Sequence, residues 1–594
     1  MYYAVDIPWG FPKPKSLVFD AEKKTMFYRG PILPPELRPF QSIEFSRERW
    51  HEDEKNGLVS PISPGEAQFT PKPHQLEAAK KIAAAYQEGW PGFLLADKTG
   101  IGKTLSTLVG LSLISKIEGR NIGKKATVLI VCPKGAIPVW RQTLRNYRMS
   151  HPFLRPLIIN YQQLQKLLTS PPQARVNPKK SRKSRQIARD GLPMISFDYI
   201  IFDEAHYLKN YPSSNISIIA ARIAALDKPY RKGSSPFVIF STATPGSTPL
   251  NFSVMAGFVS KLINPKNTKH VGPKEWGEFL ISEGFAVTKG KSAYNWATVP
   301  WFGKESDTPA EKAKYAKSVA DAKLKQRKDA QRIGRALTSP NAPFIMRSPK
   351  NIAGWPEQQL IPIPIELSSK QKQYYKEAWT QFRTWLNLTP TNKDPKSALV
   401  QQLRYRQKTS LLRVEALAEM AKDWVDEGKQ VYISVEFIET VDMFLEAFAK
   451  AKISVAEISG RTTAERENER IRFQKGEALI AISTVVEAIS LHAGEILPDG
   501  TKASSAERVS ILADIRQNPL NSLQALGRAH RNGENSVAYI PYIEDTVDKK
   551  IVDSFVNKVA NQEIMTGKSL EEAGILERIF RLAAAKTTAP SKLS

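Results

Sequence analysis

The 594-residue sequence contains one cysteine, Cys132, and no run of about 18 apolar residues. A lone cysteine cannot form a disulfide within the chain, and it excludes a zinc site built from several cysteines. It ends the apolar run 128–131, so we expect it to be a buried strand residue of a protein in a reducing compartment. We predict no membrane-spanning helix, and because the first residues lack a basic stretch followed by an apolar one, no signal peptide.

Positive charge is what the sequence has in excess. It contains 86 lysines and arginines against 59 aspartates and glutamates, for a net charge of +27. Such an excess indicates a polyanionic partner, most often nucleic acid, with general solubility charge as the alternative. The length allows roughly two to four domains, and the 41% hydrophobic content can fill their cores.

Two segments, 66–265 and 351–560, alternate short apolar runs with helical patterns. This alternation predicts an α/β fold with two parallel sheets, each covered by helices. Ligands of such sheets bind beyond the carboxyl ends of the strands. The predicted strands are 93–96, 127–132, 157–160, 199–202 and 237–241 in the first segment, and 430–435, 454–458, 478–483, 509–513 and 538–541 in the second.

The remaining segments are predicted to be a small N-terminal accessory domain over 1–65, a basic helical insertion over 266–350 and a helical, then flexible, tail over 561–594. Two stretches are markedly basic. For both, an ordinary solvated surface and contact with nucleic-acid phosphates remain open. The first is a loop with Lys179, Lys180, Arg182, Lys183 and Arg185, and the second is a helix with Lys312, Lys314, Lys317, Lys323, Lys325, Arg327, Lys328, Arg332 and Arg335.

A glycine-containing turn between a predicted strand and a helix is the first candidate site. Gly100 and Gly102 would let backbone amides approach phosphate oxygens, and the start of the following helix favours negative charge. Lys103 would reach the outer phosphates of a nucleotide, and the Thr104 hydroxyl would bind Mg²⁺. The strict phosphate-loop pattern has glycine where Asp97 stands, and such turns also occur by chance.

The acid pair Asp203–Glu204 follows the predicted strand 199–202. Two adjacent carboxylates at a strand's end suit metal-assisted phosphoryl transfer. We predict that Asp203 binds Mg²⁺ and that Glu204 orients the attacking water. The alternative is a pair of helix-capping acids, which would stabilise by only about 1 kcal/mol.

Arg528 and Arg531 lie three residues apart in the second segment, which places them on one helix face. Arginine is permanently charged and presents a rigid fork of donors, so it can stabilise a phosphoryl transition state. A surface ion pair is the alternative. Their position in the second segment predicts a composite site.

The ordered set of motifs resembles the core of superfamily 2 helicases, and within it the SNF2-like ATPases. The resemblance covers roughly 70–555 and is carried by Pro73-His74-Gln75, Leu95 to Thr104, Cys132-Pro133-Lys134 with Trp140, Ile159 to Gln162, Asp203 to Asn210, Thr242 to Pro245, Phe344 to Arg347, Ser459-Gly460 with Arg470 and Phe473, Ser483-Thr484 and Gln524 to Arg531. The sequence departs from the family's pattern at Lys98, where the family has an acidic residue, and at Ala243, where it has glycine.

The resemblance implies two tandem RecA-like lobes, ATP and Mg²⁺ as cofactors, and double-stranded or branched DNA as the partner. It implies that Gln75, Asp97 and Gln524 take part in nucleotide binding with the phosphate loop, and the branch of DNA-annealing helicases is nearest. The resemblance and the positive charge also make Lys134, Thr484 and the basic loop 179–185 candidate nucleic-acid contacts. We expect a monomer that hydrolyses ATP in order to move along duplex DNA. We expect it in the cytoplasm of a bacterial or phage-infected cell, or in the nucleus if the source is eukaryotic. A protein partner is possible through residues 1–65 or the tail.

Three other functions remain open. The nearest is a strand-separating DNA or RNA helicase of the same superfamily. A clamp that binds ATP without turnover would lack Lys103 or Glu204, and both are present. A phosphate-loop enzyme acting on a small molecule fits poorly with the net charge of +27.

Overall fold

The computed structural model describes residues 2–5, 17–20, 25–29, 71–98, 100–120, 125–148, 154–168, 193–290, 293–297, 308–348, 352, 359–387, 395–462, 465–485, 489–495, 497, 501–516, 519–530, 536–543 and 547–569. The chain forms two compact units. One contains 1–352 and 559–573, and the other contains 353–558 and 574–594. Within the described residues, no helix is both long and apolar enough to span a bilayer.

The first unit is built on a parallel sheet in the order β11-β4-β8-β7-β5-β6. Alternate residues of its central strands enter two separate cores, one on each face of the sheet. The strands of this unit are β1 (Tyr2–Val5), β2 (Leu17–Asp20), β3 (Thr25–Arg29), β4 (Gly92–Leu95), β5 (Ala126–Cys132), β6 (Leu154–Asn160), β7 (Tyr199–Asp203), β8 (Phe237–Ser241), β9 (Val287–Lys289), β10 (Tyr294–Trp296) and β11 (Phe344–Ile345).

Helices cover both faces of this sheet, as the alternating pattern predicts. They are α1 (Pro73–Gln87), α2 (Lys103–Ile117), α3 (Ile137–Arg148), α4 (Asn215–Ile223), α5 (Ala256–Ile263), α6 (Trp276–Ser282) and α7 (Pro309–Leu337). Strands β1 to β3 form a separate antiparallel sheet, and β9 pairs with β10 as an antiparallel hairpin.

The second unit holds another six-stranded parallel sheet, in the order β12-β17-β16-β13-β15-β14. Its strands are β12 (Gln359–Ile365), β13 (Gln430–Ser434), β14 (Val455–Ile458), β15 (Ile480–Ser483), β16 (Arg508–Leu512) and β17 (Ser536–Ile543). Its helices are α8 (Ser369–Asn387), α9 (Pro395–Leu411), α10 (Val414–Asp426), α11 (Ile438–Lys450), α12 (Arg466–Gln474), α13 (Pro519–Leu526) and α14 (Val547–Met565). The predicted fold of two parallel-sheet α/β lobes is therefore confirmed.

The last helix, α14, is divided between the two units. Its residues up to Lys558 group with the second unit, and those from Val559 onward group with the first. Ala560, Ile564 and Met565 are buried in the larger core of the first unit. The end of this helix is therefore part of the first unit's fold, although the sequence pattern places it in the second segment and the tail.

Candidate nucleotide-binding site

The phosphate loop runs from the end of β4 to the start of α2. Gly100 and Gly102 have φ angles of 88° and 94°, in the left-handed region that favours glycine. A Cβ atom on Gly102 would lie 2.0 Å from Nε2 of Gln75, so a side chain here would also collide with α1. Lys103 is the first residue of α2. Both glycines are therefore required by the backbone path, and the helix presents its amide end to the loop.

The Lys103 ammonium lies over this loop. Its Nζ donates to the carbonyl oxygens of Asp97 at 2.9 Å and Lys98 at 3.4 Å. The loop follows Leu95 of β4, which pairs with Ser241 of β8, and Ser241 also pairs with Asp203 of β7, so the loop and the acid pair lie at the same edge of the sheet. Thr104 follows in the first turn of α2 and is partly exposed.

The Asp97 side chain is fully buried and paired with Arg347. The guanidinium donates to both carboxylate oxygens, with Nε at 3.1 Å from Oδ1, and it also donates to the His74 carbonyl. The backbone amide of Lys98 donates to the Arg347 carbonyl at 2.9 Å. Asp97 thus anchors the loop through an arginine that follows β11, which explains why an aspartate is accommodated where the strict pattern has glycine.

Sequence reasoning missed this contribution of Arg347, because it placed Phe344 to Arg347 in the predicted insertion 266–350. The structure instead pairs β11 with β4 in the first unit's sheet. The available signal was the acid at the end of an apolar strand, because a buried carboxylate needs a charged or hydrogen-bonding partner.

The start of α1 closes the other side of the loop. Nε2 of His74 lies 3.0 Å from the Ile101 carbonyl oxygen, and Nε2 of Gln75 donates to the same oxygen at 3.4 Å. Oε1 of Gln75 accepts from the Lys72 amide at 2.9 Å. The predicted nucleotide-binding residue Gln75 is therefore fixed against the phosphate loop.

Asp203 ends β7, and its carboxylate is held in place. Nε1 of Trp140 donates to Oδ2 at 2.7 Å, and the Ser241 hydroxyl donates to Oδ1 at 3.3 Å. The Tyr161 hydroxyl donates to the Asp203 backbone carbonyl at 2.7 Å. Burial, followed by the Glu204 charge, raises the pKa of Asp203 to about 6.

Glu204 takes a left-handed conformation with φ of 53°, unusual for a residue with a side chain. Its Oε2 lies 3.3 Å from Nδ1 of His206 and accepts from the Thr242 hydroxyl at 3.5 Å. The Thr242 hydroxyl also lies 3.4 Å from Nδ1 of His206 and accepts from the Thr244 amide at 3.2 Å. The second acid is therefore linked to the turn 242–244 that follows β8.

The end of α14 interacts with two of the positions at which the sequence departs from the family's pattern, Ala243 and Lys98. Nε2 of Gln562 donates to the Ala243 carbonyl at 3.3 Å. Burial lowers the pKa of Lys98, and the charge that most opposes this shift is Glu563. Glu563 in turn forms an ion pair of 2.8 Å with Lys568.

In the second unit, Arg528 and Gln524 are buried. Nη1 of Arg528 donates to the Ile489 carbonyl at 3.3 Å, and the Arg528 carbonyl accepts from the Leu491 amide at 3.0 Å. Thr484 follows β15, and its carbonyl accepts from Nη2 of Arg516 at 3.0 Å. Arg528 is therefore held by the segment 489–491 of its own unit. The predicted helical position of Arg528 is wrong, because α13 ends at Leu526 and Arg528 lies in the turn that follows.

The candidate nucleic-acid contacts are only partly described. Lys134 is exposed in a short 3₁₀ turn directly after β5. Arg531 and the basic loop with Lys179, Lys180, Arg182, Lys183 and Arg185 lie outside the described residues. Among the residues described, no cluster of three or more histidine, cysteine, aspartate or glutamate side chains could hold a metal ion.

Comparison with known proteins gives two domain matches. Residues 74–231 match the SNF2-related domain, and residues 412–533 match the helicase conserved C-terminal domain. The first match contains the phosphate loop and the acid pair, and the second contains Arg528 and Arg531.

Several curated relatives are similar over parts of the chain. The ISWI chromatin-remodeling complex ATPase ISW1 of Saccharomyces cerevisiae is 22% identical over 83% of this chain and 40% of its own length. The uncharacterized ATP-dependent helicase YqhH of Bacillus subtilis is 30% identical over 25% of this chain and 24% of its own length. The ATP-dependent helicase fft2 of Schizosaccharomyces pombe is 28% identical over 27% of this chain and 12% of its own length. The chain thus spans less than half the length of each of these relatives.

Among solved structures, the SWI2/SNF2 ATPase core of Sulfolobus solfataricus in complex with dsDNA aligns over 88% of this chain and 98% of its own, with 17% identity and a TM-score of 0.29.

Proposed function

We propose that this chain, which belongs to the SNF2 family of helicase superfamily 2 ATPases, hydrolyses ATP in order to move along duplex DNA. The observation that carries the proposal is the meeting of two motifs in the first unit. Strand β4, which leads into the loop with Lys103, and strand β7, which ends at Asp203, both pair with β8, so the loop and the acid pair lie at the same edge of the sheet.

The residues present fit a nucleotide with Mg²⁺. Gly100 and Gly102 leave two positions of the loop without a side chain, and Lys103 supplies the charge for the outer phosphates. The Thr104 hydroxyl and the Asp203 carboxylate are oxygen donors of the kind that Mg²⁺ prefers, and Mg²⁺ is typically held by one or two carboxylates together with substrate phosphates. When bound, the ion would neutralise charge on the phosphates.

Within this site, Glu204 is the group proposed to orient the attacking water. Thr242 and His206 hold its carboxylate, so its direction is fixed before any substrate arrives. A preorganised acceptor costs no reorganisation at the moment of reaction. Gln75, which closes the loop, is proposed to contact the base, as the family resemblance implies.

The proposal of duplex DNA rests on the net charge of +27 and on the chromatin-remodeling ATPases among the relatives. A phosphate backbone attracts a strongly basic chain whatever its sequence. Lys134, exposed directly after β5, is a candidate for one such contact.

The proposal is tested by the rate of ATP hydrolysis without polymer and with duplex DNA, single-stranded DNA, forked DNA or RNA. We expect duplex or forked DNA to stimulate most. Stronger stimulation by RNA or by single-stranded DNA would favour the strand-separating helicase, and no stimulation by any polymer would contradict both functions.

A further inference from the structure

Helix α7 carries a row of basic side chains on one side. Lys314, Lys317, Lys325, Lys328 and Arg335 are all exposed. At about 100° per residue, these five positions fall within a sector of roughly 80° around the helix axis. We call this set the α7 basic row. With a rise of about 1.5 Å per residue, it extends over roughly 32 Å.

Contacts of Asp329, Arg332 and Gly334 around α7 fix the helix to the first unit, so the α7 basic row is held in a set direction. The Asp329 carboxylate accepts from the Ala286 amide at 2.9 Å and from Nε1 of Trp296 at 2.8 Å. The Arg332 guanidinium lies 4.0 Å from the centre of the Phe285 ring. Gly334 lies against α14, where an added Cβ would be 2.2 Å from the Ile564 carbonyl oxygen.

The α7 basic row is not neutralised within the described residues, where no ion pair joins any of its five members to a carboxylate. The acidic residue within the same sector is Asp321, which is exposed. It lies four residues from Lys317 and from Lys325, a spacing at which opposite charges on a helix stabilise one another, and it leaves the row with five positive charges against one negative charge. Five like charges along one line repel one another, and a polyanion would relieve that repulsion.

We propose that the α7 basic row binds the phosphate backbone of duplex DNA. Its length of about 32 Å is close to one helical turn of the duplex, about 34 Å. Exposed lysines at this spacing supply charge without a base-reading geometry, so the contact is independent of sequence. This inference rests on the proposed function, because it adds a contact surface for the same partner.

The test compares two pairs of substitutions on the same helix in the full chain. Lys325→Gln with Lys328→Gln removes two charges from the α7 basic row. Lys312→Gln with Lys323→Gln removes two charges from the opposite side, roughly 160–180° around the axis. Affinity for a random-sequence duplex is measured by fluorescence anisotropy between 50 and 200 mM KCl, and thermal melting confirms that both variants are folded.

Each lost phosphate contact should reduce the slope of log affinity against log salt by about 0.9. We therefore expect the Lys325/Lys328 pair to lower the slope by about 1.8 and the Lys312/Lys323 pair to leave it unchanged. An equal change in both pairs, or no change in either, would overturn the proposal.

A gain-of-function variant removes any dependence on damaged folding. Asp321→Lys completes the row, so it should tighten duplex binding and steepen the salt slope by about 0.9. Unchanged or weaker binding would count against the α7 basic row. Suppose that duplex DNA binds and stimulates the unaltered protein and that these variants bind DNA as the unaltered protein does. In that case this inference alone would fail. If the unaltered protein neither bound duplex DNA nor was stimulated by it, the proposed function would fail as well.

Discussion

At the scale of single residues, the proposed site separates nucleotide binding from hydrolysis. Lys103 faces the loop that would receive the phosphates, whereas Glu204 is held by Thr242 and His206 beyond the strand end. The sequence alone predicted these residues, because each follows directly from a local pattern. It could not predict Arg347, because the pairing with Asp97 joins positions 250 residues apart.

Lys103→Ala and Glu204→Gln should therefore fail in different ways. Both should abolish turnover. Lys103→Ala should also weaken ATP binding, because a charge on the phosphates is lost, whereas Glu204→Gln should bind ATP as the unaltered protein does. Equilibrium binding of a fluorescent ATP analogue, measured beside steady-state hydrolysis, separates the two. Full turnover in either variant would contradict the assignment.

The buried pair Asp97–Arg347 makes a second prediction. Arg347→Met leaves a fully buried carboxylate without its partner, and breaking such a pair costs about 3–5 kcal/mol. Urea unfolding should show that loss. Adding Asp97→Asn should recover part of it, since the remaining group is neutral. A double variant no more stable than Arg347→Met would show that the pair does not anchor the loop.

Arg528 and Arg531 remain predictions about hydrolysis. If they stabilise charge that develops in the transition state, Arg528→Ala and Arg531→Ala should reduce kcat far more than ATP affinity. Arginine fingers contribute about 10³–10⁵ in rate, so a partial contribution would also be visible. Arg531→Lys should not restore the rate, because lysine lacks the planar fork. Rates near those of the unaltered protein in both alanine variants would contradict a contribution of these arginines to hydrolysis.

At the scale of secondary structure, the sequence predicted the strands of the two parallel sheets except for one edge strand of each sheet, β11 and β12. Strand β12 contains Pro362 and Pro364, and proline argues against a central strand but is tolerated at an edge. Among the described strands, β12 pairs with β17 alone, so it is an edge strand. Strand β11 has two residues, too few for a periodic signal. The end of α14 was assigned to the tail, because a helical pattern does not reveal which core its apolar side will join.

The end of α14 leads to a prediction about Gln562. This residue donates to the carbonyl of Ala243, which lies between Thr242 and Thr244. The Thr242 hydroxyl donates to Glu204 and is also within hydrogen-bond distance of the Thr244 hydroxyl. Gln562→Leu removes a hydrogen bond that contributes about 1 kcal/mol. We expect kcat to fall about fivefold with little change in KM for ATP, because turn 242–244 helps to hold Glu204.

Asn561→Leu is the matched control, because this neighbouring buried amide donates to Gln326 and not to the turn. Asn561→Leu should lower the melting temperature by about as much as Gln562→Leu does, and it should leave kcat unchanged. An equal loss of kcat in both variants would show that α14 only stabilises the fold.

At the scale of the whole molecule, two parallel-sheet units carry a net charge of +27. If that charge serves phosphate contacts, duplex affinity should fall linearly on logarithmic axes as salt rises. With 6–10 contacts, the loss between 50 and 200 mM salt would be roughly 10³–10⁵. Anisotropy titrations of the unaltered protein measure this slope, and a flat response would assign the charge to solubility instead.

We propose above all that the site with Lys103 and Glu204 hydrolyses ATP in response to duplex DNA. The most direct measurement is steady-state ATP hydrolysis by the full chain, with and without saturating duplex DNA, beside Glu204→Gln under the same conditions. We predict a rate that rises strongly with DNA in the unaltered protein and a rate at background in Glu204→Gln, whose ATP binding is retained. A rate that DNA does not change, or DNA-stimulated turnover that survives in Glu204→Gln, would contradict it.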